Sequence, residues 1–186
     1  MSRSLHIVGI SGSLRKGSFN TMLLKAASAL LPDVVTYEFC SIVDLPVYNG
    51  DLDIPDRAAR PGAVTKFREV LARADGFIIA SPEYNYSIPG GLKNAIDWAS
   101  RGDDSPLTGK HVSLMGATQG QWGTTRMQLA FLPVFNTLKM HHINKFEVFV
   151  SMAQKKFDAE GNLVDADTLE VLKKHLDVFQ STLGHH

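Results

Sequence analysis

The stretch from Leu5 to Leu30 admits few folds. Leu5-His6-Ile7-Val8-Gly9-Ile10 is a short apolar run of the kind a buried parallel strand requires. Ser11 to Gly17 follows as a loop rich in glycine and hydroxyls. From Ser18 or Phe19 the pattern turns helical, with Met22, Leu23, Ala26, Ala27 and Leu30 on one stripe. A strand thus feeds a tight loop, and the loop feeds a helix N-terminus. That order gathers free backbone N–H groups and the positive helix end at one point, which suits a phosphate. Ser13, Ser18, Asn20 and Thr21 add donors, and Arg15 adds a forked cation that matches phosphate oxygens.

Three better-known motifs nearly fit this loop and fail. Gly12 and Gly17 have the spacing of a P-loop, but Ser18 stands where the phosphate-binding lysine belongs, which argues against NTPase chemistry. Gly9-Ile10-Ser11-Gly12-Ser13 misses the nucleophile elbow because Ser13 replaces its last glycine. The dinucleotide fingerprint G-x-G-x-x-G is absent. A loop for a single terminal phosphate remains.

Downstream, the pattern alternates. Val34–Phe39 reads as strand two, Phe77–Ala80 as strand three, Val112–Met115 as strand four and His142–Val150 as strand five. Helix two starts near Pro61 with Val64, Phe67, Val70, Leu71 and Ala74 on one face, the first-turn position proline favours. Helix three opens at Pro89-Gly90-Gly91 and runs to about Ser100. Helix four is capped by Thr124 or Thr125 and carries Met127, Leu129, Leu132, Phe135 and Leu138, with Pro133 inside. Phe157–Val164 reads as a small hairpin, and helix five runs from about Asp167 to Leu183. Ser41–Pro61 is a long surface connection whose Leu45, Pro46, Val47 and Tyr48 pack over the core or a subunit neighbour. Five strands alternating with five helices predict one α/β domain over residues 1–186. Its architecture is a three-layer αβα sandwich around a five-stranded parallel sheet, in the flavodoxin-like order 2-1-3-4-5.

Bulk properties narrow the class. The 186 residues balance 19 Lys+Arg against 19 Asp+Glu, so nothing draws the chain toward nucleic acid or an acidic membrane. No apolar run approaches the roughly 18 to 20 residues that span a bilayer. Ser2-Arg3-Ser4 leads straight into strand one without a signal-peptide pattern, and the one cysteine, Cys40, suits a reducing cytoplasm. His141-His142 is not read as a metal site, because adjacent strand residues point to opposite faces and no cysteine or carboxylate cluster accompanies them. The terminal Gly184-His185-His186 is left out of the functional reading.

In this order of strands, ligands bind beyond the carboxyl ends of strands one and three. There the chain places Ser11–Asn20 and Ser81–Ser87, and Gly116–Gly123 after strand four opens on the same rim. Tyr84 and Tyr86 are placed to flank a flat heteroaromatic ligand while Asn85 and backbone amides read its polar edge. Small residues in the third loop permit close backbone approach. A phosphate pocket beside a slot for a flat ring is what a mononucleotide needs, and FMN fits such a fold.

Gly12-Ser13-Leu14-Arg15-Lys16-Gly17-Ser18-Phe19-Asn20, Pro82-Glu83-Tyr84-Asn85-Tyr86 and Gly91-Leu92-Lys93-Asn94-Ala95-Ile96-Asp97-Trp98 resemble the NADPH-dependent FMN reductase family. Within it, the bacterial quinone and chromate reductases are the nearest branch. The resemblance implies that Ser13, Arg15, Ser18, Phe19 and Asn20 hold the FMN phosphate. It implies that Pro82, Glu83, Tyr84 and Asn85 lie along the isoalloxazine, and that Ala117 and Gly120 add contacts. It implies a hydride from NADPH or NADH to the flavin, then two-electron reduction of a quinone, chromate, an azo compound or free flavin. The flavin carries the chemistry, so no side chain is assigned as acid, base or nucleophile. A homodimer or homotetramer is implied as well, with helices three and four, and Trp98, Met127 and Phe131 on them, available for its surface. Two readings compete: an electron carrier without nicotinamide turnover, and a redox sensor that merely holds FMN. Carriers of this fold tend to be strongly acidic and lack a cation such as Arg15, whereas this chain is neutral.

Overall fold

Apolar runs bounded by turns become the central strands, and amphipathic stretches between them become helices that cover both faces. The computed structural model describes residues 4–53 and 57–183; Ser2, Arg3 and Gly184-His185-His186 lie outside these. In chain order the elements are β1 (His6–Ser11), α1 (Phe19–Ala29), β2 (Thr36–Cys40), α2 (Gly62–Arg73), β3 (Gly76–Ala80) and α3 (Gly90–Ser100). They continue with β4 (His111–Ala117), α4 (Thr125–Thr137), β5 (His141–His142), β6 (Val148–Val150) and α5 (Ala166–Leu183). The sheet runs β2-β1-β3-β4, with β5 and β6 both beside β4, and every pair is parallel. This is the expected flavodoxin-like order.

Strand alternation divides the core in two. Phe77 and Ile79 of β3 face one side with Phe67, Leu71, Leu92, Ile96 and Phe131 of α2, α3 and α4. Ile78 and Ala80 face the other with Leu23, Leu24, Leu172, Leu176 and Phe179 of α1 and α5. The period of two along β3 therefore assigns its neighbours to opposite helical layers.

The fifth strand departs from expectation. Instead of one run from His142 to Val150, two short pieces pair with the two ends of β4: β5 with His111 and Val112, and β6 with Met115–Ala117. The interruption has a local cause. Phe146 has φ +53°, and the Lys145 carbonyl turns inward to accept from His175 Nδ1 at 3.0 Å. His175 Nε2 accepts from the Ser113 hydroxyl at 2.8 Å, so the ring bridges α5, β4 and the segment between β5 and β6. His141 and His142 diverge as expected: one ring lies 5.0 Å from His111, the other 5.9 Å from Phe135.

His175 is fully buried, and burial pushes its pKa below the ordinary 6.5. The folded protein keeps the ring neutral while the unfolded chain takes up a proton as pH falls through 6.5. Stability is therefore complete above that pH and declines below it, by up to about 1.4 kcal/mol per pH unit until the lowered pKa is reached. Urea unfolding at pH 7.5, 6.5 and 5.5 measures this slope, and His175→Gln is expected to flatten it.

Helix four also corrects an expectation. Met127, Phe131 and Phe135 point inward, whereas Leu129 and Leu132, counted among the apolar residues the helix carries, are 59% and 41% exposed. Trp98, Met127 and Phe131 are 0% exposed and belong to the core, so they supply no subunit surface. Thr124 stands before the helix at φ +69° and makes no side-chain cap. Arg68 is buried on α2, unforeseen in the stripe: its guanidinium donates to the carbonyls of Trp98, Ala99 and Arg101, closing the C-terminus of α3.

Candidate active site

The carboxyl ends of β1, β3 and β4 lie side by side, which brings three loops to one rim. Gly12 N donates to Ala80 O at 2.8 Å and Ser81 N to Met115 O at 3.0 Å, so the first residue of each loop still holds its neighbour strand. The approach is too close for side chains. A Cβ on Gly12 would sit 2.4 Å from Ser81 Oγ, and one on Gly116 would sit 2.0 Å from Thr124 Oγ1 and 2.6 Å from Ser81 O.

The first loop forms the expected helix entry. Ser18 caps α1, its hydroxyl oxygen accepting from Asn20 N at 3.2 Å and Thr21 N at 3.4 Å. These bonds leave the Ser18 hydroxyl proton free to donate. Ser11 Oγ accepts from Ser13 N at 3.2 Å and lies 3.0 Å from Thr21 Oγ1, which folds the loop back on the helix. Ser13 and Ser18 are buried, whereas the Arg15 side chain is exposed and its Nη2 donates to Gly17 O at 3.0 Å.

Two expected phosphate ligands use their side chains otherwise. Asn20 Nδ2 donates to Ala117 O at 3.0 Å, and Ala117 N donates to Asn20 Oδ1 at 2.8 Å. The buried amide thus ties the first loop to the end of β4. The Phe19 ring stacks at a tilt on Phe157, 5.5 Å between centroids. What these two residues can offer an anion is backbone N–H at the helix start.

The second loop is a two-residue reverse turn. Tyr84 N donates to Ser87 O at 3.1 Å and Ser87 N to Tyr84 O at 3.0 Å, with Asn85 and Tyr86 between them at φ +50° and +64°. Glu83, expected along a flavin ring, spends its carboxylate on α4. Oε2 accepts from Arg126 N at 2.9 Å and Met127 N at 3.1 Å, and Oε1 accepts from Arg126 Nη1 at 3.0 Å. These amides are the ones a helix cap must satisfy, so Glu83 replaces the cap that Thr124 does not supply. Pro82 stands between Ser81 and this carboxylate, its carbonyl accepting from Ser81 Oγ at 3.0 Å.

The third loop is held from outside. Thr118 N donates to Val150 O at 2.9 Å, and Gly120 O accepts from Met152 N at 3.0 Å. Thr118 Oγ1 accepts from Gly120 N at 3.2 Å. The backbone of Ala117 and Gly120 is thereby fixed along the rim, and Trp122 beyond it is exposed. The rim thus brings Ser13, Arg15, Ser18, Phe19 and Asn20 together with Pro82–Asn85, Ala117 and Gly120. Arg126 joins them and was missed. Its signal is a cation in the first turn of a helix, where the dipole disfavours it unless an anion stands opposite. A cleft of about 560 Å³ between α3 and α4 is lined by residues such as Lys93, Asp97, Pro133 and Leu138 and contains none of these rim residues.

Comparison with known proteins gives the family. The family model described as NADPH-dependent FMN reductase matches residues 5–155. An NAD(P)H-dependent FMN reductase of Pseudomonas aeruginosa is 42% identical over 97% of this chain and 96% of its own length. A quinone reductase of Escherichia coli is 39% identical over 96% of this chain and 95% of its own. The solved structure of a flavoenzyme NAD(P)H:(acceptor) oxidoreductase from Paracoccus denitrificans superposes with a TM-score of 0.88 at 28% identity, covering 98% of both chains. The chain belongs to the NADPH-dependent FMN reductase family.

Proposed function

We propose that this protein is an FMN-dependent NAD(P)H oxidoreductase that reduces quinones by two electrons, with chromate, azo compounds and free flavin as further acceptors. The observation that carries this reading is the rim itself. Buried Ser13 and Ser18 hydroxyls stand at a capped helix N-terminus, beside two loops drawn within van der Waals reach by Gly12 and Gly116. This donor set fits a terminal phosphate next to a flat ring. In this reading Ser13, Arg15, Ser18 and the first amides of α1, at Phe19 and Asn20, hold the phosphate. The Pro82–Asn85 backbone borders the isoalloxazine, and the Ala117 and Gly120 backbone closes the other side. When bound, FMN supplies the hydride and electron chemistry. The chain binds, aligns and excludes water, and no side chain is required to move a proton.

The decisive experiment is anaerobic mixing of the FMN-loaded protein with NADPH. Full loss of the oxidised-flavin absorbance, recovered on adding benzoquinone, is the expected result. No loss with either nicotinamide would favour the electron carrier instead. Donor and acceptor use one open face in turn, so double-reciprocal plots across the two substrates are expected to be parallel; intersecting lines would overturn the alternation. Arg15→Ala is expected to weaken FMN binding by about 1.5–3 kcal/mol, the range for a hydrogen bond to a charged group. An unchanged affinity in a fluorescence titration would remove Arg15 from the site.

The same reading takes the protein as cytoplasmic and as a homodimer or homotetramer. Among the described residues no helix is long and apolar enough to cross a membrane. Cys40 is a buried free thiol, pushed up to about 11 by burial and therefore unreactive. Exposed Leu129 and Leu132 on α4 replace the buried trio as the candidate subunit surface. Sedimentation equilibrium distinguishes the states.

A further inference from the structure

We infer that Arg126 is a positioning residue for the flavin site, holding the Asn85-Tyr86 turn in a conformation that its own residues disfavour. The inference rests on the reading of the rim as the FMN site and assigns to α4 a part in it. Asn85 and Tyr86 both have positive φ, +50° and +64°. Two-residue hairpins demand that pair of conformations, but glycine or asparagine normally supplies it. Asn85 meets the demand, and Tyr86 does not: a bulky side chain in the left-handed region is strained. The two hydrogen bonds between Tyr84 and Ser87 close the turn without relieving that strain.

Relief comes from α4. The Arg126 guanidinium carbon lies 4.0 Å from the Tyr86 ring centroid and 5.4 Å from that of Trp122. Both rings are largely exposed, 69% and 62%, so no apolar packing fixes them. A cation on the ring face is the contact that holds Tyr86 down. The cation is itself held, because Glu83 accepts from its Nη1 and from its backbone N. Glu83, Arg126 and Tyr86 thus form a closed circuit: the loop anchors the helix through Glu83, and the helix returns the constraint through Arg126. The piece of backbone caught inside the circuit is Tyr84-Asn85, the edge read as bordering the isoalloxazine.

A circuit of this kind makes a specific demand on a double-mutant cycle. Arg126→Ala is expected to weaken FMN binding to the apoprotein about tenfold, because the turn must then be ordered at the expense of binding. With Tyr86→Gly already in place, the same Arg126→Ala change is expected to alter affinity by less than about twofold, since glycine adopts positive φ without help. Hydrogen–deuterium exchange of the peptide spanning residues 82–88 in the apoprotein gives a readout independent of FMN. Exchange at the Tyr84 and Ser87 amides should rise in Arg126→Ala and return toward wild type in Arg126→Ala/Tyr86→Gly. An equal loss of affinity in both backgrounds would overturn the inference and assign the effect to helix four alone, as would unchanged exchange at residues 84–87. Wild-type protein that binds no FMN would instead overturn the functional reading on which the inference stands.

Discussion

Replacing Asn20 with alanine is expected to cost about 2–4 kcal/mol of folding free energy and to lower FMN affinity by about tenfold or more. The magnitude follows from what the side chain satisfies. Both its amide atoms are bonded to the backbone of Ala117, across 97 positions of sequence, and both partners are buried. Alanine at position 20 leaves a buried N–H and a buried C=O without partners, each a loss of about 1–2 kcal/mol. For a chain of this length that is a fall in melting temperature of roughly 5–15 °C. The affinity loss has a separate origin. The Asn20–Ala117 pair is what sets the distance between the first and third loops, so its removal lets the two walls of the site move apart. Asn20→Asp sharpens the test, because a carboxylate still accepts from Ala117 N but opposes Ala117 O, and it should fare no better than alanine. Thermal unfolding of the apoprotein and a flavin titration separate the two effects. A melting temperature within 2 °C of wild type would show that Asn20 is not the tie between these loops.

The same residue shows where sequence reading stops. Asn20 stands out as a polar residue in a phosphate-type loop, and its presence at the site was legible. Its use was not, because the partner that consumes its side chain lies on another strand. Glu83 repeats the case: it is part of a loop motif, yet its carboxylate serves the N-terminus of α4, 43 residues on. Buried strands were the easiest features to read, since β1, β3 and β4 need apolar side chains on both faces and show up as continuous runs. The edge was harder. Its break between β5 and β6 depends on His175, which arrives from α5 to bond the Lys145 carbonyl. On α4, Leu129 and Leu132 lie on the outer face while Met127, Phe131 and Phe135 take the inner one, so apolar periodicity alone does not tell which face packs. Local pattern fixes the element, and partners distant in sequence decide what a polar side chain does.

Trp98 carries the largest expected effect on stability. Trp98→Ala should cost about 3–5 kcal/mol, the range for truncating a fully buried aromatic residue, and lower the melting temperature on the order of 10 °C. The ring is fully buried on α3 and meets Tyr48 edge-on, 4.8 Å between centroids. Its Nε1 donates to Pro46 O at 2.8 Å. Asn94, one helical turn earlier, donates to the same carbonyl at 2.8 Å and accepts from Tyr48 N at 2.7 Å. Two residues of the Gly91–Trp98 motif therefore dock the long connection between β2 and α2 onto the core, rather than touching the rim. The distinction between packing and hydrogen bonding is testable within one position. Trp98→Phe keeps an aromatic ring but loses the indole donor, and Pro46 O retains its bond from Asn94. That variant should lose only about 1–2 kcal/mol, with FMN affinity close to wild type. If Trp98→Phe were as damaging as Trp98→Ala, the hydrogen bond to Pro46 would be the dominant contribution. If both variants weakened FMN binding in proportion to their loss of stability, the connection from Ser41 to Pro61 would belong to the site and not only to the scaffold.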